Sequence, residues 1–115
     1  ALNISKIYVV HRLDKTTSGA LVFARTKEKA AQVFAEFKEK RVEKSYLFLT
    51  RKQHDQESFW FTSQVSERGK QFAVKNGRMW NSPPPDGPED QAQTQFTRVK
   101  GNAFCQLWRA FPKTG

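Results

Sequence analysis

One stretch of this sequence repeats its apolar residues at helical spacing, and everything after it alternates. Ala30, Val33, Phe34 and Phe37 fall at i, i+3, i+4 and i+7, while Lys27, Glu28, Lys29, Glu36, Lys38, Glu39 and Lys40 take the remaining positions. This spacing predicts an amphipathic helix that starts after Thr26, whose hydroxyl suits an N-cap, and ends near Arg41. The other apolar runs read as strands: Ile7 to Val10, Ala20 to Ala24, Ser45 to Lys52, Phe59 to Val65, a short Gln71 to Lys75, Thr94 to Lys100 and Phe104 to Phe111. Asp14 to Gly19 loops between the first two, Gln53 to Ser58 serves as the turn before the fourth, and Gly101-Asn102 closes a hairpin between the last two. Ser82 to Pro88 holds four prolines, which remove backbone donors and fix φ, so it is a surface loop. With no repeat and no linker, residues 1–115 read as a single domain of α+β class, a mostly antiparallel sheet with one main amphipathic helix packed on it.

Charge decides the class of partner. Lys and Arg number 20 against 11 Asp and Glu, a net charge of +9 over 115 residues, which favours a polyanion. A 13% aromatic share points to a folded core rather than a basic tail. No apolar run approaches the ~20 residues of a membrane-crossing helix. Cys105 is the single cysteine; it reads as a small core hydrophobe and, with only His11 and His54 beside it, makes neither an internal disulfide nor a zinc site. No metal is expected, and a reducing cytoplasm is the expected compartment.

The segment His11-Arg12-Leu13-Asp14-Lys15-Thr16-Thr17-Ser18-Gly19 sets one carboxylate between two cations, at the end of a strand, ahead of hydroxyls and a glycine. Arg12 and Lys15 favour an ionised Asp14, and a loop can present it to a substrate as nucleophile or base. The same residues also suit an aspartate that only stabilises a turn, with Arg12 as its ion-pair partner. On the helix, acids interleave with the lysines, as on a solvated face. Arg51, Lys52, Arg68, Lys70, Lys75, Arg78, Arg98, Lys100 and Arg109 are less balanced and are the expected face for a phosphate backbone. Phe59-Trp60-Phe61 fits core packing better than base stacking.

The run from His11 to Gly19 resembles the H-R-L-D-x-x-T-S-G hallmark of the RluA-type RNA pseudouridine synthases, and Ala20-Leu21-Val22-Phe23-Ala24-Arg25-Thr26-Lys27 continues the likeness. Val42-Glu43-Lys44-Ser45-Tyr46 resembles the family's lysine and tyrosine at the opening of the next strand. Ala92, Thr94 and Arg109 to Gly115 resemble the approach to its P-x-T-G-R-T-H-Q-I-R segment, whereas Gln53 to Gln91 matches only loosely. A histidine at the head of the motif is similar to the branch acting on large-subunit ribosomal RNA and tRNA. By itself His11 reads as a structural hydrogen-bonding group.

The resemblance implies isomerisation of uridine to pseudouridine in ribosomal RNA or tRNA, with no cofactor. It implies Asp14 as the catalytic carboxylate and Tyr46 as the ring that stacks on uracil, and it places Arg12, Lys15 and Thr17 against the substrate. It also implies a strand before Ala1 and an arginine partner for the aspartate after Gly115. The chain is therefore expected to be part of a catalytic domain, truncated at both ends and inactive alone. Two other readings compete: a non-catalytic RNA-binding module that keeps the fold, and a sugar hydrolase, which would need a second carboxylate that the motif does not offer.

Overall fold

A computed structural model describes residues 6–68, 71–88 and 91–113. The architecture is α+β, and the chain forms two compact units, residues 1–42 and 43–115.

In the first unit, β1 (Tyr8–Val9) pairs antiparallel with β2 (Phe23–Ala24), Tyr8 opposite Ala24 and Val9 opposite Phe23. Both strands are shorter than predicted, because the backbone N–H of Val22 donates to His11 Nε2 (2.9 Å) instead of to a strand partner. Helix α1 (Lys27–Lys38) packs against both strands. Thr26 caps it as expected, its hydroxyl accepting the N–H of Lys29 at 3.1 Å. The buried side consists of Ala30, Val33, Ala35 and Phe37, each half-buried, while Phe34 is 57% exposed. A two-stranded ribbon covers a narrower stripe than the sequence period suggests.

Helix α1 ends in a Schellman motif: Lys40 takes φ +58° and donates to the Phe37 carbonyl (3.1 Å), and Arg41 donates to the Glu36 carbonyl (2.9 Å). The Arg41 guanidinium returns to the Glu36 carboxylate through Nε and a terminal nitrogen, both at 3.0 Å. This hydrogen bond, more than the charge itself, holds the Glu36 carboxyl below its ordinary value of 4.5.

The second unit is one antiparallel sheet of β3 (Tyr46–Thr50), β4 (Ser58–Arg68), β5 (Gln71–Trp80), β6 (Gln91–Gly101) and β7 (Gln106–Pro112), in the order β3-β7-β6-β4-β5. Because β3 pairs with β7 and not with β4, the segment from Gln53 to Ser58 is no hairpin turn. Its His54 instead covers one face of the sheet. There the Phe59 and Phe96 rings stack at 5.2 Å, the Trp108 ring meets Phe59 edge-on at 5.4 Å, and His54 lies 5.4 Å from Phe59 and 5.8 Å from Trp108. Phe59 and Trp108 are 8% and 1% exposed, and burial of rings of this size contributes roughly 2 to 3 kcal/mol each. This is the core that Phe59 was expected to join.

Buried polar groups in this core are paired. The Gln106 side-chain oxygen accepts the His54 N–H (3.1 Å) and the Trp108 indole N–H (3.0 Å), and the Gln106 amide nitrogen donates to the His54 carbonyl (3.1 Å). Arg98 donates to that same carbonyl at 2.7 Å and ion-pairs with Glu57 at 3.9 Å. Arg98 is therefore occupied in holding the loop and leaves the expected phosphate-binding set.

Strand β5 runs past its predicted end at Lys75, because Asn76-Gly77 forms a bulge rather than a terminus. Two residues of β5 stand opposite one of β4, and Asn76 takes φ +54°. A side chain at Gly77 would put its Cβ 2.7 Å from the Phe61 ring, so only glycine lets the ring lie there. Residues 82–88 are non-helical, non-strand and largely exposed, as their prolines require. The β6–β7 turn falls where Gly101-Asn102 predicts, with Asn102 Oδ1 accepting the N–H groups of Phe104 (2.8 Å) and Cys105 (3.0 Å). Cys105 is half-buried in this turn rather than in the core.

Candidate active site

The candidate site residues near the start of the chain share one loop between β1 and β2. Its lower end is fixed by Val10, 7% exposed, and by His11, whose ring stacks on Phe37 of α1 at 4.6 Å while its Nε2 holds Val22. One side chain thus ties both ends of the loop to each other and to the helix. Within it, Thr17 donates its N–H to the Asp14 carbonyl at 2.9 Å, closing a tight turn through Lys15 and Thr16. Gly19 follows at φ +150° with open space around its Cα, so the backbone angle rather than crowding calls for glycine.

The turn leaves the Asp14 side chain exposed, flanked by exposed Arg12 and Lys15, with Thr17 half-buried. Among the described residues neither Arg12 nor Lys15 forms an ion pair with Asp14, so the Arg12–Asp14 pair of the turn-stabilising alternative is not formed. The carboxylate is held by its backbone and left open at its oxygens, and two cations beside it remain available to an anionic ligand.

Tyr46 opens β3 at the edge of the five-stranded sheet, opposite Ala110, and its ring is partly exposed on the sheet face that carries Phe48, Trp108 and Phe96. The structure therefore collects Arg12, Asp14, Lys15 and Thr17 in the first unit and sets Tyr46 in the second. His11 emerges as the residue that organises the Asp14 loop, consistent with its reading as a hydrogen-bonding group. Its partners Val22 and Phe37 carry no signal in the sequence beyond their place in a strand and a helix. Among the described residues no three His, Cys, Asp or Glu side chains gather as metal ligands, and no helix is long and apolar enough to cross a membrane.

Comparison with known proteins bears on the same residues. A likeness to an RNA pseudouridine synthase of Haemophilus influenzae runs over 49 residues at 47% identity, covering 43% of this chain and 22% of that protein. The tRNA pseudouridine synthase C of Pasteurella multocida is 47% identical over 45 residues, covering 39% of this chain and 18% of the relative. Ribosomal large subunit pseudouridine synthase C of Rickettsia bellii is 50% identical over 42 residues, 36% of this chain and 14% of its own length. The chain thus spans about a fifth, or less, of the relatives it matches. In fold, it is similar to human RNA Pseudouridylate Synthase Domain Containing 4, with a TM-score of 0.74 and 24% identity over 95% of this chain and 42% of that one. The family model described as RNA pseudouridylate synthase matches residues 1–115. On the motif from His11 to Gly19, the fold and this full-length match, the chain belongs to the RNA pseudouridylate synthase family, in its RluA-type branch.

Proposed function

We propose that this chain supplies the catalytic aspartate and part of the substrate pocket of an enzyme that isomerises uridine to pseudouridine in ribosomal RNA or tRNA. The observation that carries the reading is the Asp14 turn: a carboxylate fixed by the Thr17–Asp14 hydrogen bond and the His11 clip, exposed, and free of an ion pair among the described residues. In the reaction the glycosidic bond to the uracil nitrogen breaks and the base turns in its pocket. A carbon–carbon bond then forms at ring carbon five, which loses its proton while the released nitrogen takes one. The sum is an isomerisation and consumes no oxidant, reductant or nucleotide.

Asp14 must be ionised and close to the nucleoside for this chemistry. The Tyr46 ring offers a flat face for the displaced uracil, a contact worth ~1 to 3 kcal/mol. Arg12 and Lys15 meet phosphates on either side, and Thr17 both closes the turn and lines it toward the substrate. The cytoplasm is the proposed compartment, where the lone thiol of Cys105 stays reduced.

Because the chain matches only about a fifth, or less, of its relatives' length, we propose that residues 1–115 alone do not turn over. The test compares the chain with a version extended at both ends, reading tritium release from RNA labelled at uracil carbon five. The extended protein is expected to release tritium and its Asp14→Asn variant to fall by at least a thousandfold while still binding RNA. Near-normal release by Asp14→Asn would remove Asp14 as the catalyst, and no release by the extended protein itself would favour the non-catalytic RNA-binding reading.

A further inference from the structure

We infer that the sheet face opposite the Phe59–Trp108 core is a platform for single-stranded RNA, built from a row of aromatic rings flanked by cations. The inference rests on RNA being the partner, as proposed above, and names the surface that holds the strand outside the Asp14 loop.

Cross-strand register defines the row. Phe111, Gln95, Trp60 and Trp80 stand directly opposite one another on β7, β6, β4 and β5, so their side chains rise from one face at the ~4.8 Å strand spacing. All four are half-buried, neither packed away nor fully open. The next row toward the sheet end contains Thr62 opposite both Gln93 and Arg78, and the Lys113 N–H donates to the Gln93 carbonyl at 2.9 Å. On the other side Arg109 stands opposite Thr97 and Leu47. Neither row contains a carboxylate.

The cations here engage rings rather than acids. The Arg78 guanidinium lies over the Trp80 ring at 3.8 Å from its centroid, and the Lys113 ammonium lies over Trp60 at 5.7 Å. Among the described residues neither makes an ion pair. Trp80 is itself fixed, because its indole N–H donates to the buried Thr62 hydroxyl at 2.9 Å. A guanidinium held over a pinned indole, with no acid paired to it among the described residues, sets a cation beside an aromatic ring, the combination that a strand of bases and phosphates requires. The same rings facing apolar protein would have no use for two unneutralised cations laid across them. Stacking needs unpaired bases, so the occupant is a single strand and not a duplex, whose bases are stacked on each other.

The experiment uses the 115-residue chain and a 12-nucleotide oligocytidine, chosen because it cannot be isomerised and so reports the surface independently of the Asp14 reading. Tryptophan emission should be quenched on binding, and the Trp60→Phe/Trp80→Phe double variant, which retains only Trp108, should lose that quenching. Arg78→Glu/Lys113→Glu should raise Kd at least tenfold more than Lys27→Glu/Lys29→Glu, an equal charge change on α1. A duplex of the same length should bind at least tenfold more weakly than the single strand. The platform is overturned if the two charge-reversed variants weaken binding equally, if the duplex binds as well, or if the quenching persists with Trp108 alone. It is also overturned if sedimentation shows a dimer that Arg78→Glu/Lys113→Glu converts to monomer, which would assign the face to a second copy of the chain.

Discussion

His11 Nε2 accepts the backbone N–H of Val22 at 2.9 Å across the loop that carries Asp14. The bond replaces a strand ladder rung with a side chain, so the two ends of the loop are held by a group that also stacks on helix α1 through Phe37. His11 is thus a positioning residue. His11→Ala should raise the exchange rate of the Val22 amide at least tenfold in this chain. In the extended protein it should slow uridine turnover about a hundredfold, the scale of a ~1 Å misplacement, with little change in RNA affinity. His11→Gln, which keeps an acceptor, should recover part of both. Unchanged Val22 protection in His11→Ala would show that the clip does not hold the loop.

Much of this arrangement is legible from local chemistry, and what is not legible depends on distant partners. Thr26 announces the helix start because an N-cap acts within its own turn, and Gly101-Asn102 announces the β6–β7 turn because Asn102 bonds only to residues beside it. The Asp14 loop is legible as a motif. By contrast, Asn76-Gly77 has turn chemistry but sits in a bulge within β5, a difference set by the pairing with β4. The β3–β7 pairing joins segments far apart in sequence, so Gln53 to Ser58 looks like a hairpin turn and is not one. Arg98 reads as a free cation until the His54 carbonyl that it binds is placed beside it. The pairing of Trp60 with Trp80 is hidden for the same reason: cross-strand register appears only when the sheet is built.

Lys40 occupies the left-handed position of the helix end with φ +58°, where a Cβ crowds the backbone and glycine does not. The cost of a side chain there is about 1 kcal/mol after allowing for the greater freedom of an unfolded glycine. Lys40→Gly should therefore stabilise the first unit by up to about 1 kcal/mol, and Lys40→Val should destabilise it. Local hydrogen exchange along α1 measures both. A loss of protection in Lys40→Gly would mean that its side chain contributes more than its backbone strain removes.

Glu36 and Arg41 give the same helix end a pH dependence. The Glu36 carboxyl is held below its ordinary value in the folded chain by the Arg41 hydrogen bond, so folding favours the ionised form. That contribution is fully present above the ordinary carboxylate range and is lost as the pH falls through the folded value. Both side chains are about half exposed, so salt should weaken it. In an NMR titration Glu36 should protonate below its ordinary range, the shift should shrink in high salt, and Arg41→Gln should abolish it. A Glu36 midpoint that does not move in Arg41→Gln would remove the ion pair as its cause.

Gln106 bears on the stability of the sheet more than any charged pair does. It is 4% exposed, and its amide accepts from His54 and the Trp108 indole while donating to the His54 carbonyl. Gln106→Ala would strand the indole N–H of Trp108, itself 1% exposed, together with the His54 N–H, and open a cavity between them. Each unpaired buried group costs ~1 to 3 kcal/mol, so a loss of about 3 to 5 kcal/mol is expected, a large part of the 5 to 15 kcal/mol that holds a typical domain. Gln106→Glu distinguishes hydrogen bonding from packing. It keeps the size and the acceptor, but turns the donor to the His54 carbonyl into a second acceptor and buries a charge. Urea unfolding followed by tryptophan emission should rank wild type above both variants, with Gln106→Glu recovering stability at low pH, where the carboxyl is protonated and can donate to His54 again. If Gln106→Glu were as stable as wild type at neutral pH, the His54 loop would be held by its ring contacts alone, and the polar network would not be what fixes it over the core.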